Sequence, residues 1–297
     1  MCGIVGLLIK TPALRRRLGE WAVPMLVGMT ERGPDSAGLA VFRQPASQSM
    51  CKLSLYCADD RFDWRLLENT LATRFNKPEV ERHASHAVLT AAVEPHEVRA
   101  WLTSQYPQIH VLCAGRAMDV YKDIGLPAEI ARRYAFETLS GTHLIGHTRM
   151  ATESAVTPEN AHPYTAGEDW CLVHNGSLAN PYSIKRLLQR RGVAFESDCD
   201  TEAACRYIAW RLEEGDNLET ALHQAFEDFD GFFTFLMGTV DQLALVRDPI
   251  ACKPAIVAET DDYVAIASEF RSLAHLQGIQ HAQVFEPKPA EIYSWSI

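Results

Sequence analysis

The sequence lacks any uninterrupted apolar stretch of the roughly 18 to 20 residues that a membrane-spanning helix needs, so no such helix is expected. It also lacks the marks of a secretory leader. The opening decapeptide, MCGIVGLLIK, is apolar but short, with neither a basic start nor a small-residue cleavage site. A cytoplasmic protein is the expectation. Positive charge is scarce: 28 Lys and Arg against 38 Asp and Glu leave a net charge of -10. A nucleic-acid surface needs clustered basic residues. The one such cluster, Arg15-Arg16-Arg17, sits in a helical pattern and reads as a solvated face. Cysteine is thin as well: eight residues in 297, no CxxC pair, and no spacing that matches a zinc site. Neither a disulfide scaffold nor a metal is therefore expected. Internal repeats and low-complexity linkers are missing too.

What is present is an ordinary globular composition, 47% hydrophobic and 22% charged. Gly3 to Ile9 is a short, nearly all-apolar run and reads as a buried strand. Leu14, Leu18, Trp21, Met25 and Met29 follow at helical spacing, and Glu31-Arg32-Gly33-Pro34 ends that helix. Leu39 to Phe42 reads as a strand. The stretch from 44 to 140 differs in character. It holds an amphipathic segment at 62–75, a strand at 87–93, a helix at 95–106, a strand at 109–113 and a helix at 127–139. Two strands each followed by a helix point to a small α/β insertion. From Gly141 the pattern changes again, to strands at 143–147 and 170–173 and helices at 182–191, 201–212 and 218–229. Closely spaced strands then run through 232–240, 243–246, 255–258 and 263–267. Helices grouped apart from successive short strands imply an α+β fold with packed antiparallel sheets.

Four places carry candidate chemistry. Cysteine is small enough for an initiator methionine to be removed from Cys2. The freed residue then bears a thiol and an α-amine together, with ordinary pKa values near ~8.5 and ~8. Such an amine acts as base for its own side chain, with no separate histidine. Arg149, in Gly146-His147-Thr148-Arg149-Met150-Ala151-Thr152, offers a planar fork for a carboxylate or caps a strand end. Asn175-Gly176, after the apolar Val173, is a turn or a pair of donors converging on one oxyanion. Asp198 or Asp200, ahead of an amphipathic helix, is an N-cap or a carboxylate for an ammonium group.

Taken together and in order, these elements resemble the class II glutamine amidotransferases, which are N-terminal-nucleophile hydrolases. The match rests on Cys2-Gly3-Ile4-Val5-Gly6, Arg32-Gly33-Pro34-Asp35-Ser36-Ala37-Gly38, the run from His147 to Thr152, His174-Asn175-Gly176 and Asp200-Thr201-Glu202. Val246-Arg247-Asp248-Pro249 and the run from Val264 to Glu269 also look like strands of that domain. The resemblance covers 2–43 and 141–297 and implies a four-layer αββα sandwich, with 44–140 inserted. It implies that Cys2 is the nucleophile and that Asn175 and Gly176 form the oxyanion hole. It further implies that Arg149 binds the α-carboxylate of glutamine and Asp200 its α-ammonium. Thr152 lies where the family places a pocket hydroxyl, and Arg32 where it holds the loop near the nucleophile.

The sequence departs from the family at Met150, where an aromatic is usual, and at Glu153, where glucosamine-phosphate synthases have histidine. The chain most resembles stand-alone amidotransferase subunits of glutamate-synthase-like complexes, such as the small subunit of N-methylglutamate synthase (methylamine–glutamate N-methyltransferase). No synthase region follows the amidotransferase pattern, so the nitrogen acceptor is expected on a partner chain. The resemblance implies no cofactor in this chain, with FMN and an iron–sulfur cluster on partner subunits, and L-glutamine or a related γ-glutamyl amide as substrate. The alternative is a catalytically silent subunit that binds glutamate or glutamine, which retention of Met1 would favour by leaving Cys2 without its amine.

Overall fold

A computed structural model describes the whole chain except Met1, Asp60 and 152–154, and for Lys77 it describes the backbone only. In chain order its strands begin with β1 (Gly3–Ile9), β2 (Ser36–Phe42), β3 (Cys51–Cys57), β4 (Asn76–His83), β5 (His86–Ala92), β6 (Ile109–Gly115), β7 (Met118–Ile124) and β8 (His143–Arg149). They continue with β9 (Tyr164–Thr165), β10 (Cys171–Leu178), β11 (Gly231–Gly238), β12 (Gln242–Arg247), β13 (Ile256–Glu259), β14 (Tyr263–Ala267), β15 (Gln283–Phe285) and β16 (Ile292–Ser296). The helices are α1 (Leu18–Val27), α2 (Trp64–Arg74), α3 (Pro95–Gln105), α4 (Pro127–Arg133), α5 (Pro181–Gln189), α6 (Asp200–Glu213) and α7 (Leu218–Asp228).

Two antiparallel sheets stack face to face. One has seven strands in the order β15-β13-β14-β1-β8-β2-β7, the other five in the order β16-β12-β11-β10-β9. β1 shows why. Its residues alternate between two apolar environments, as a strand buried on both faces must. Ile4 and Leu8 point into the space between the sheets, beside Val173, Leu236 and Leu245. Val5, Leu7 and Ile9 point outward, beneath Trp21, Met25 and Leu26 of α1 and Ile130 of α4. On the far side α5, α6 and α7 cover the second sheet through Ile184, Leu188, Tyr207, Ile208 and Leu222. The result is the expected α+β sandwich of layers α, β, β, α.

The insertion differs from its expectation of two strands each followed by a helix. Instead, β3-α2-β4-β5-α3-β6 folds into a four-stranded antiparallel sheet in the order β4-β5-β3-β6. This is a split β-α-β arrangement. Its own core lies under the two helices, around Leu53, Leu67, Leu89, Val98 and Leu102. Polar strands such as Asn76–His83 carry no apolar run, which is why the pattern missed them. The separate sheet spans Cys51–Gly115, narrower than 44–140, because Met118–Ile124 pairs with β2 in the main sheet. Its polar residues are buried there against distant partners. Asp119 binds Arg43 at 2.9 Å and Lys52 at 2.5 Å.

Candidate active site

The first strand carries Cys2 to one end of the inter-sheet core. Gly3 pairs with Thr148 and Ile4 with His147, so Cys2 stands beside the last residue of β8, Arg149. A side chain at Gly3 would meet Met29 Cβ at 2.6 Å and Thr148 Oγ1 at 2.8 Å. Glycine is thus what lets the strand that carries Cys2 start this close to the end of α1. Cys2 is half-buried, and its Sγ lies 3.9 Å from the Met150 carbonyl.

Two side chains converge on the Cys2 carbonyl. Arg32 donates to it through Nε at 3.0 Å while its Nη1 donates to Glu269 Oε1 at 2.7 Å. That second contact holds the Glu269 carboxyl below the usual carboxylate range. Asn175 donates through Nδ2 to the same carbonyl at 3.0 Å and to Ser268 Oγ at 3.2 Å. Ser268 Oγ accepts from the Ile4 N–H at 2.9 Å as well. The turn that delivers Arg32 is pressed on the end of β8. A Cβ at Gly33 would lie 2.4 Å from the Thr148 carbonyl oxygen. Asp35 donates its N–H to the Arg149 carbonyl at 3.1 Å and accepts the Ala151 N–H at 2.8 Å.

Asn175-Gly176 is not a turn. Both residues lie inside β10, and their pairing with β11, Asn175 to Thr234 and Gly176 to Phe233, continues through Leu178. Asn175 is buried and Gly176 is exposed, so the pair sits at the rim of the core. Gly176 has φ +150, and a Cβ there would meet the Phe232 carbonyl oxygen at 2.1 Å and His174 Nε2 at 2.6 Å. No other residue fits that crossing.

Arg149 is buried at the end of β8 and donates through Nη1 to the Ala155 carbonyl at 3.3 Å. Thr152 and Glu153 lie outside the described residues. Asp200 opens α6 and faces the end of β10. Its Oδ2 accepts the Leu178 N–H at 2.9 Å, and its Oδ1 lies 3.8 Å from His174 Nδ1. Neither aspartate is the N-cap. That position is Cys199, and Asp198 is exposed, 3.7 Å from Lys185. The carboxylate that gathers backbone N–H groups ahead of the helix is Glu202, which accepts from Glu196 at 2.9 Å and Ser197 at 2.7 Å.

This geometry can be set beside known proteins. Residues 147–275 match the family description of a glutamine amidotransferase domain. Over 99% of its length the chain is 46% identical to the glutamine amidotransferase-like protein GlxB of Rhizobium meliloti (strain 1021), of which it covers 98%. The chain belongs to the class II glutamine amidotransferases. A putative glutamine amidotransferase of Methanothermobacter thermautotrophicus is 31% identical, with 99% of each chain covered. The structure of the B. subtilis glutamine phosphoribosylpyrophosphate amidotransferase with ADP and GMP shares the fold, with a TM-score of 0.64 over 99% of this chain at 17% identity. This chain spans 47% of that one.

Domains of this amidotransferase class need no cofactor of their own. Among the described residues no helix is long and apolar enough to cross a membrane, and no group of His, Cys, Asp and Glu is arranged to hold a metal ion. The amidotransferase site has parts that pattern reading left without a role. Ser268 and Glu269 were visible only as the end of a strand. Three buried histidines stand behind Asn175. His147 and His162 stack with ring centroids 4.0 Å apart, and His147 Nε2 donates to the His174 carbonyl at 3.1 Å. Burial keeps all three neutral, pushing His147 down to about 3 and His162 and His174 below their ordinary value. For His147 and His174, a histidine set in an otherwise apolar strand was the available signal.

Proposed function

We propose that this amidotransferase releases ammonia from the side-chain amide of L-glutamine, or of a related γ-glutamyl amide, at Cys2 once Met1 is removed. The ammonia passes to a partner synthase of glutamate-synthase type. The observation that carries the reading is the 3.0 Å contact between Asn175 Nδ2 and the Cys2 carbonyl, which holds an amide donor against the residue bearing the nucleophile. Cys2 Sγ attacks the amide carbon. Its proton passes to the Cys2 amine and then to the departing nitrogen, which leaves as ammonia. A γ-glutamyl thioester remains, and water splits it to glutamate and the free thiol.

The tetrahedral oxyanion takes its hydrogen bonds from Asn175 Nδ2 and the Gly176 N–H. In the resting site Nδ2 is engaged by Cys2 O and Ser268 Oγ. The hole therefore opens as substrate arrives and the carbonyl gives up its share. Arg149 supplies the fork for the α-carboxylate, Asp200 the carboxylate for the α-ammonium, and Thr152 a pocket hydroxyl. Arg32 holds the carbonyl of the nucleophile. Residues 2–50 and 116–297 form the catalytic unit in this reading, and the separate sheet of Cys51–Gly115 an accessory insertion.

Ammonia freed into water is lost to synthesis, which supports a coupled acceptor site, assigned in this reading to the partner synthase. N-methylglutamate synthase is the finer form of the proposal, with FMN and an iron–sulfur cluster on its other subunits. Affinity purification followed by mass spectrometry tests it, and recovery of the chain without flavin or iron–sulfur subunits sinks that form. For the catalytic step, Cys2→Ala abolishes ammonia release, diazo-oxo-norleucine labels Cys2, and the intact mass lacks methionine. Full glutaminase activity in Cys2→Ala overturns the mechanism. A retained Met1 with glutamate binding and no ammonia release makes the chain a glutamate-binding subunit.

A further inference from the structure

We propose that Thr201 is a positioning residue for the oxyanion hole, acting through a single hydroxyl that sets the tautomers of His162 and His174 and so holds the Asn175–Gly176 strand end in place. This rests on the glutaminase reading above. Thr201 is buried at the start of α6, and its Oγ1 lies 3.0 Å from both His162 Nε2 and His174 Nδ1. Asp200 Oδ1, the other acceptor within reach of the Thr201 hydroxyl, is more distant at 3.3 Å.

A hydroxyl has one hydrogen to donate and two lone pairs, and each neutral imidazole has one N–H. The donor ring is assigned from the far side of His174. Its Nε2 has no hydrogen-bond partner, and both Nε2 and the Phe232 carbonyl oxygen approach the Cβ position of Gly176. A carbonyl oxygen only accepts, so a hydrogen on Nε2 suits that side. His174 Nδ1 is then an acceptor and takes the Thr201 hydrogen, and Thr201 Oγ1 accepts from His162 Nε2–H. The chain runs in one direction, His162 to Thr201 to His174, with the Nε2 hydrogen on the Phe232 side.

Both ends of this chain are anchored. Lys122 Nζ donates to the carbonyls on either side of His162, Ala161 at 2.9 Å and Pro163 at 3.4 Å. The His174 ring lies under Gly176, with Nε2 2.6 Å from where a Cβ would stand, and the His174 carbonyl is held by His147. A tilt of the His174 ring therefore moves the Gly176 N–H, one of the two oxyanion donors. Arg149 lies off this path, and Asp200, whose Oδ1 is 3.3 Å from Thr201 Oγ1, stays held through Oδ2 by the Leu178 N–H, so the effect falls on turnover more than on binding.

The test pairs kinetics with spectroscopy. Thr201→Val, which keeps shape but has no hydroxyl, lowers kcat for glutamine hydrolysis between about tenfold and a hundredfold, with KM within about twofold. Thr201→Ser restores kcat to near the parent. Wild-type kcat in Thr201→Val, or equal losses in the Val and Ser variants, overturns the proposal. The ring nitrogens of 15N-histidine-labelled parent protein give an answer that needs no variant to fold. His174 protonated at Nε2 supports the chain, and protonation at Nδ1 overturns it. Diazo-oxo-norleucine labelling of Cys2 in the parent keeps the two readings distinguishable. An unlabelled, inactive parent protein defeats the glutaminase reading while the tautomer measurement still stands.

Discussion

Asn175 Nδ2 rests 3.0 Å from the carbonyl oxygen of Cys2, although 173 positions separate the two residues in the chain. The side chain we propose as an oxyanion donor also grips the backbone of the proposed nucleophile. Asn175→Ala removes both contacts, and the buried Ser268 hydroxyl loses a donor. Loss of one oxyanion donor costs on the order of 10²–10³ in kcat. Ammonia release falls by that factor, while glutamate binding measured calorimetrically stays close to the parent. An unchanged kcat would remove Asn175 from the mechanism.

Arg32 joins Cys2 O to Glu269 through two nitrogens of one planar group. Lysine has a single point of charge and cannot span both acceptors. Arg32→Lys therefore loses one charge-assisted hydrogen bond, a loss of about 1.5–3 kcal/mol, and its thiol alkylation rate at Cys2 changes as the strand end loosens. Urea unfolding and iodoacetamide kinetics read the two effects. A variant that keeps both parent values would mean that the Arg32 bridge is dispensable.

Gly176→Ala tests the strand crossing itself. The added methyl meets the Phe232 carbonyl oxygen at 2.1 Å in a backbone held at φ +150, a conformation that costs a side chain about 1–3 kcal/mol. Stability and kcat fall together, because the same displacement moves the Gly176 N–H that we propose as an oxyanion donor. Activity retained at the parent level in a destabilised variant would separate them and count against Gly176 as a donor.

Burial holds His86, His143 and His147 neutral, each pushed down to about 3. Between the ordinary histidine value near ~6.5 and that value the unfolded chain binds protons that the folded chain refuses. Their contribution is complete above pH ~6.5 and is lost as pH falls toward ~3, at about 1.4 kcal/mol per unit for each ring. Urea midpoints drop steadily from pH 7 to 4. His143→Gln, at a ring stacked 4.1 Å from Phe42, lowers that slope. A midpoint flat across this range, or a slope unchanged in the variant, contradicts the assignment.

Pattern reading reached packed antiparallel sheets with helical layers, because the strands are buried on both faces, and the family resemblance supplied the four-layer order. The apolar run Gly3–Ile9 and the helices around Trp21, Ile184 and Tyr207 announce themselves through local periodicity. It failed where polarity is neutralised from a distance. In Met118–Ile124 the charges of Asp119 and Lys122 are satisfied by Arg43, by Lys52 and by carbonyls of 159–163. That strand therefore reads as surface although it is buried in the main sheet. The same limit applies to the aspartates near α6. An acidic residue ahead of a helix is locally a cap, and only the approach of β10 turns Asp200 toward Leu178 and His174.

The sequence by itself determined the class of chemistry. Cysteine followed by glycine at the head of a buried strand, an arginine at the end of another and an Asn-Gly pair are choices of residue type, and residue type sets what a group can donate, accept or attack. Tertiary structure decided the arrangement. The registers of β1 with β8 and β14, and of β10 with β11, bring Cys2, Arg32, Asn175 and Ser268 onto one carbonyl and one hydroxyl. The packing of α6 against β10 gathers His162, His174 and Thr201 behind them. Such meetings depend on sheet stacking between residues far apart in the chain, which no local periodicity encodes.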